Sequence, residues 1–157
     1  MKVVLKILGL VAVVLILLQM VPVERTNPPV ESRFSAPAEV QEVLKRACYD
    51  CHSHETRWPW YSRIAPFSWI IVGHVKEGRK ELNFSRWNRY SVRKQRRKLE
   101  QIPEEIFSDH MPPRSYLWLH PEARLTPTEK GNIENWVNFV LANQMPEEGR
   151  DENKSLK

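Results

Sequence analysis

Residues 3–23 form an apolar run broken chiefly by Lys6, and Glu24 and Arg25 close its outer end. At ~1.5 Å per residue, a helix over this run reaches about 30 Å, the thickness of a bilayer's hydrocarbon core. Lys2 and Lys6 can snorkel to the headgroups on the cytoplasmic side. The pattern predicts a membrane anchor over residues 1–23. A cleaved signal peptide is the rival reading, but Leu18, Gln19, Met20 and Val21 are poor cleavage residues, and Ala36-Pro37-Ala38 is distant and proline-bound. Residues 24–35, polar and carrying Pro28 and Pro29, suit an extended tether more than a packed element.

Beyond the tether the apolar positions recur at helical spacing. Val40, Val43, Leu44, Ala47, Cys48 and Cys51 share one face of a helix opened by Pro37. Ile133, Trp136, Val137, Val140 and Leu141 mark a second helix. Its start signal is Thr126 as N-cap, Pro127 at the first helical position and Glu129 as the capping-box partner. Between them "PFSWIIVGHVKEGRKEL" predicts a third, with Phe67, Ile70, Ile71, His74 and Val75 on one side. No run alternates apolar and polar residues as a strand does. The expectation is an all-α domain over residues 36–145, followed by a polar, disordered tail over 146–157.

Length changes the picture by limiting it: 157 residues hold one ordinary domain and leave no room for an attached signalling domain. Charge adds a question. The net charge of +5 owes much to "RWNRYSVRKQRRK", residues 86–98, whose interleaved Trp87 and Tyr90 superficially suggest nucleic acid. Export argues against that partner. A solvated helix face is the common reading of such a run, and docking to an acidic redox protein or to anionic lipid comes next.

The chemistry lies in "CYDCH", which holds Cys48 and Cys51, the only two cysteines, with His52 directly after. Cys-x-x-Cys-His can hold a disulfide, a zinc ion or an iron porphyrin. An exported domain meets an oxidising compartment, which weighs against zinc, although His54, His74, His110 or His120 could complete a set. A cycling dithiol is usually placed between a strand and a helix, a context missing here. Covalent haem suits the motif best. Two sulfurs three residues apart on a helical turn can meet the two vinyl groups of one porphyrin edge, while His52 offers an imidazole to the iron.

A six-coordinate haem needs a second ligand. Met111, followed by Pro112 and Pro113, is the candidate: a thioether favours ferrous iron, and prolines restrict the loop that carries it. A methionine there belongs to no apolar stripe. His74 is the alternative distal ligand, with His110 behind it; His54, close to His52, is expected at the surface beside the haem rim. Trp58, Trp60, Tyr61, Trp69, Phe84 and Trp87 could wall a porphyrin or fill a core. Pro59 or Pro66 is expected to give a backbone carbonyl to the His52 ring.

Through "RTNPP", "CYDCHSHETRWPWYSRIAPFSW", "GRKELNFSRW", "MPPRSYLWLHPEARLT" and the Trp136 helix, residues 22 to about 143 resemble the bacterial haem-binding domain family of cytochrome c-like proteins. The resemblance implies one haem c on Cys48, Cys51 and His52, a helical fold like that of small cytochromes c, and a membrane-tethered exported domain. The expected function is a mono-haem protein that carries single electrons in the periplasm and is not an enzyme. It would be single-pass in the inner membrane, served by haem maturation machinery and by redox partner proteins of the periplasm or membrane. The alternative is a peroxidase-like or small-ligand-binding haem protein whose sixth position is open or labile.

Overall fold

The computed structural model describes residues 1–145, and the tail expected over 146–157 lies outside the described residues. The described residues form seven α-helices and three short 3-10 turns, with no strand among them. The all-α expectation holds.

The first helix, α1 (Lys2–Gln19), buries no residue against the rest of the chain. Among the described residues it is the one helix long and apolar enough to cross a membrane, features shared by an anchor and a signal sequence. Residues 22–37 have no regular structure, yet they are not loose. Phe34 is buried, its ring 4.8 Å from Phe84, 4.7 Å from Trp87 and 5.6 Å from Trp136. The N–H groups of Glu31 and Ser32 donate to the Ser85 carbonyl at 3.0 and 3.1 Å. The prolines keep this segment out of helices, but one aromatic anchor and a few hydrogen bonds make it a strap across the domain.

Two helices begin and end the domain as the apolar spacing predicts. In α2 (Ala38–Ala47), Val40, Val43, Leu44 and Ala47 face inward; Glu39 in the first turn and Lys45 and Arg46 in the last complement the helix dipole. The helix α3 (Tyr49–His52) follows after one break. The last helix, α7 (Pro127–Asn143), buries Ile133, Val137 and Val140 and starts with the expected capping box. Thr126 Oγ1 accepts from the Glu129 N–H at 3.2 Å, and Glu129 Oε2 accepts from the Thr126 N–H at 2.8 Å. Arg46 of α2 pairs with Glu129, tying the two helices together.

The middle departs from expectation. In α4 (Phe67–Glu81) the inward residues are Ser68, Val72 and Val75, while Phe67, Ile70 and His74 are exposed, so the buried face is rotated from the predicted stripe. This helix is apolar on two sides, and hydropathy cannot tell which side meets the core. The basic run divides into a 3-10 turn (Phe84–Arg89) and α5 (Val92–Phe107), where Ser91 caps and Leu99, Ile102 and Ile106 pack inward. Only Arg89, Arg93 and Arg97 of its cations are exposed; Arg86, Lys94 and Arg96 are half-buried, and Lys98 is buried, with Nζ 3.6 Å from Glu81 Oε2. A single turn, α6 (Arg114–Leu117), joins the methionine loop to α7.

Candidate haem-attachment site

The two cysteines and the histidine share one turn of backbone. Helix α2 stops where Cys48 adopts φ −122° and ψ −36°, and α3 then closes with the His52 N–H donating to the Cys48 carbonyl at 2.9 Å. Cys48 and Cys51 are half-buried, unpaired thiols. Burial pushes the Cys48 thiol up to about 12, aided by the neighbouring Cys51. Cys51 is pushed up to about 11, first by burial and then by the charge of Asp50. Both are protonated at neutral pH.

The His52 ring is oriented by backbone. Its Nδ1 lies 2.9 Å from the Gly78 carbonyl and 3.1 Å from the Leu82 carbonyl, at the C-terminal end of α4. Carbonyls only accept, so Nδ1 carries the proton, and in the neutral imidazole the lone pair is left on Nε2. No hydrogen bond among the described residues engages Nε2. Burial lowers the His52 pKa, and the carbonyls of Leu82 and Gly78 oppose this in part. A neutral imidazole with a fixed tautomer and an open Nε2 is the form that ligates iron. The carbonyl expected from Pro59 or Pro66 thus comes from Gly78 and Leu82. The physical reason is that Leu82 caps the helix with its carbonyl free of an intrahelical donor, while the Gly78 carbonyl, which accepts the Leu82 N–H at 2.9 Å, has a second lone pair for the ring.

Gly78 is what allows the approach. A Cβ built on it would lie 2.6 Å from the Cys51 carbonyl oxygen and 3.1 Å from Cys51 Cβ. Helix α4 can therefore lie against α3 only with a hydrogen at this position. The Gly78→Ala chain is expected to lose about 1–3 kcal/mol from overpacking despite alanine's better helix propensity, read as a lower denaturant midpoint. A stability gain would show that the two helices separate freely.

The expected distal residues stand apart from this turn. Met111 is in the loop between α5 and α6, 38% exposed, with its N–H donating to the Glu105 carbonyl at 3.1 Å. His74 is on the exposed side of α4, and His110 is exposed as well, its Nδ1 3.4 Å from Glu105 Oε2. No hydrogen bond or ring contact among the described residues joins Met111 or His74 to residues 48–52. Of the aromatics, Phe84 is in the core, Tyr61 is buried, Trp87 packs against the core, and Trp60 faces solvent.

Two unpaired thiols and an imidazole with a free Nε2, all on one turn, match the donor set of a covalently attached haem. A haem-binding domain family model matches residues 13–139. The chain belongs to the haem-binding domain family. No curated protein and no solved structure matches it.

Several residues that brace this haem-binding domain left little trace in the sequence. Asp50, buried between the cysteines, accepts from the Arg57 N–H at 2.9 Å, from its Nε at 3.2 Å and Nη2 at 3.1 Å, and from the Tyr116 hydroxyl at 2.9 Å. That last bond moors the segment after Met111 to the turn that carries the cysteines. Arg79 donates to the Ser53 carbonyl at 2.7 Å, the Thr26 carbonyl at 2.9 Å and the Asn27 side chain at 3.0 Å, pinning the strap behind the motif. His54 is a correction: expected at the surface, it is buried. Its Nδ1 donates to the Pro29 carbonyl at 2.8 Å and its Nε2 accepts from the Asn83 amide at 2.9 Å. Both ring nitrogens are spent on structure.

The raised thiol pKa values make a kinetic prediction. Thiolate is the nucleophile, so in the haem-free folded chain Cys51 should be alkylated at pH 8 roughly 100-fold more slowly than an ordinary exposed cysteine, with the rate still climbing past pH 10. Iodoacetamide labelling followed by peptide mass spectrometry checks it. Full-rate labelling at pH 8 would mean that the turn does not form without haem.

Proposed function

We propose that this haem-binding domain protein holds one haem c through thioethers from Cys48 and Cys51, takes His52 Nε2 as axial ligand, and carries single electrons on the periplasmic side of the inner membrane. A haem so held supplies a ferrous/ferric couple and breaks no substrate bond. The observation that carries the reading is the His52 ring, fixed through Nδ1 by Gly78 and Leu82 on the same turn as two unpaired thiols. Met111 is the sixth ligand in this reading, on a loop whose far end is moored to Asp50 through Tyr116. Helix α1 remains attached as an anchor; the strap that follows it is packed against the haem domain. Redox proteins of the periplasm or membrane are the partners, and haem maturation machinery installs the group.

The exposure of Met111 favours a second reading, in which the sixth position is open or labile and the protein binds small ligands or acts as a peroxidase. The deciding measurement for the cofactor is the reduced spectrum in alkaline pyridine together with intact mass. Protein matured by competent lyases should give a c-type spectrum and one haem per chain. Colourless, unmodified protein would end the proposal.

A further inference from the structure

The start of α4 and the 3-10 turn before it (Trp60–Arg63) present large apolar side chains to solvent. Trp60 is 73% exposed, Ile64 43%, Phe67 57% and Ile70 51%. Tyr61, Ser62 and Ala65 between them are buried, so the corner is packed on its inner side and bare on its outer side. Four large apolar groups left bare along one short stretch of chain mark a contact site.

The end of α1 indicates what covers it. The Gln19 side chain donates through Nε2 to the Arg63 carbonyl at 2.7 Å and accepts through Oε1 from the Ala65 N–H at 3.0 Å, straddling Ile64. Arg25 donates to the Ser62 carbonyl at 3.1 Å. Eighteen residues of α1 at ~1.5 Å each nearly cross the hydrocarbon core. With Lys2 and Lys6 at one headgroup layer, Gln19 reaches the other, and backbone hydrogen-bonded to Gln19 shares its depth. Tryptophan with aliphatic neighbours is the composition that settles at a membrane–water interface, and Arg63 adds a cation for lipid phosphate.

We propose that Trp60, Ile64, Phe67 and Ile70 form a second membrane contact, a monotopic patch that seats the haem domain on the outer leaflet beside its own anchor. The proposal rests on the reading of α1 as a retained anchor. The patch fixes the orientation of the domain, so that one edge of the haem domain faces lipid and the remaining surface faces the periplasm.

The test uses the full haem-loaded chain in phosphatidylcholine–phosphatidylglycerol nanodiscs carrying a phosphatidylcholine with a diazirine close to its glycerol backbone. After photolysis, tryptic peptides are mapped by mass spectrometry. Lipid adducts are expected in residues 7–25, which report the anchor, and in residues 58–63 and 64–76, which report the patch. Trp60→Ser with Ile64→Ser, both exposed positions, should more than halve adducts in the patch peptides and leave those in 7–25 unchanged. Adducts in 7–25 alone overturn the patch and leave the anchor standing, as they would if haem or a protein partner covered this corner. Adducts in neither region overturn the anchor reading and the patch with it.

Discussion

A chain carrying Cys48→Ser and Cys51→Ser, made alongside competent haem lyases, will emerge with the mass of the bare polypeptide, while the parent emerges heavier by one whole haem. The arithmetic follows from the bond. Each thiol adds its S–H across one vinyl group, so nothing leaves and the full porphyrin mass is gained. A disulfide between the same sulfurs would lower the mass by two hydrogens, and a zinc ion would be lost on denaturation. One denaturing mass measurement therefore separates the three readings of Cys-x-x-Cys-His. The single variants keep one sulfur each on the same turn and should retain haem through one thioether, with a pyridine spectrum between those of haem c and haem b. His52→Ala should still become heavier, because thioether attachment would use only the sulfurs, but it loses the imidazole that Gly78 and Leu82 orient. If the double variant were as heavy as the parent, the haem would be attached elsewhere or the mass gain would have another cause.

Parts of this architecture are legible in the sequence because one signal dominates. In α2 and α7 the buried apolar residues recur at three and four, and α7 adds its capping box. Helix α5 has the same inward spacing at Leu99, Ile102 and Ile106, but five cations precede it and Pro103 lies inside it. Charge and a helix breaker conceal the periodicity there. In α4 the difficulty is the reverse. Two apolar sides give one broad pattern, and the bare side, near Gln19 at the end of α1, is as hydrophobic as the packed one.

At the site, the residues with chemistry of their own are readable and the residues that orient them are not. Cys48, Cys51 and His52 are distinguished by type and spacing. The acceptors of the His52 proton are backbone carbonyls, which no side chain announces. Gly78 was the available sign, since a glycine within a helix costs roughly 1 kcal/mol against alanine and needs a packing reason. His54 misleads for a related cause: a histidine two residues from His52 looks like rim chemistry until its bonds to Pro29 and Asn83 are seen. The strap shows that proline and polarity predict an extended backbone without predicting its freedom. Phe34 and the two N–H groups bonded to Ser85 decide that.

Replacing Met111 by alanine is expected to open the sixth position. The reduced variant should bind carbon monoxide immediately and completely, and the reduced parent should not. The midpoint potential should fall by an appreciable part of the roughly 0.8 V over which axial ligands move haem proteins, because a soft thioether stabilises the ferrous state. His74→Ala, on the exposed side of α4, should change neither reading. The loop is held at both ends. Lys130 donates to the Ile106 carbonyl at 2.9 Å and to Asp109 at 2.7 Å on one side, and Tyr116 donates to Asp50 at 2.9 Å on the other. Little chain entropy is then left to lose when the thioether ligates. Tyr116→Phe, which frees one end, should give an intermediate result: partial carbon monoxide binding that increases with temperature, with Met111 still present. A parent that binds carbon monoxide as readily as Met111→Ala would remove Met111 from the iron. The exposure of this side chain would then be that of an ordinary loop residue, and the open-site reading would displace electron transfer.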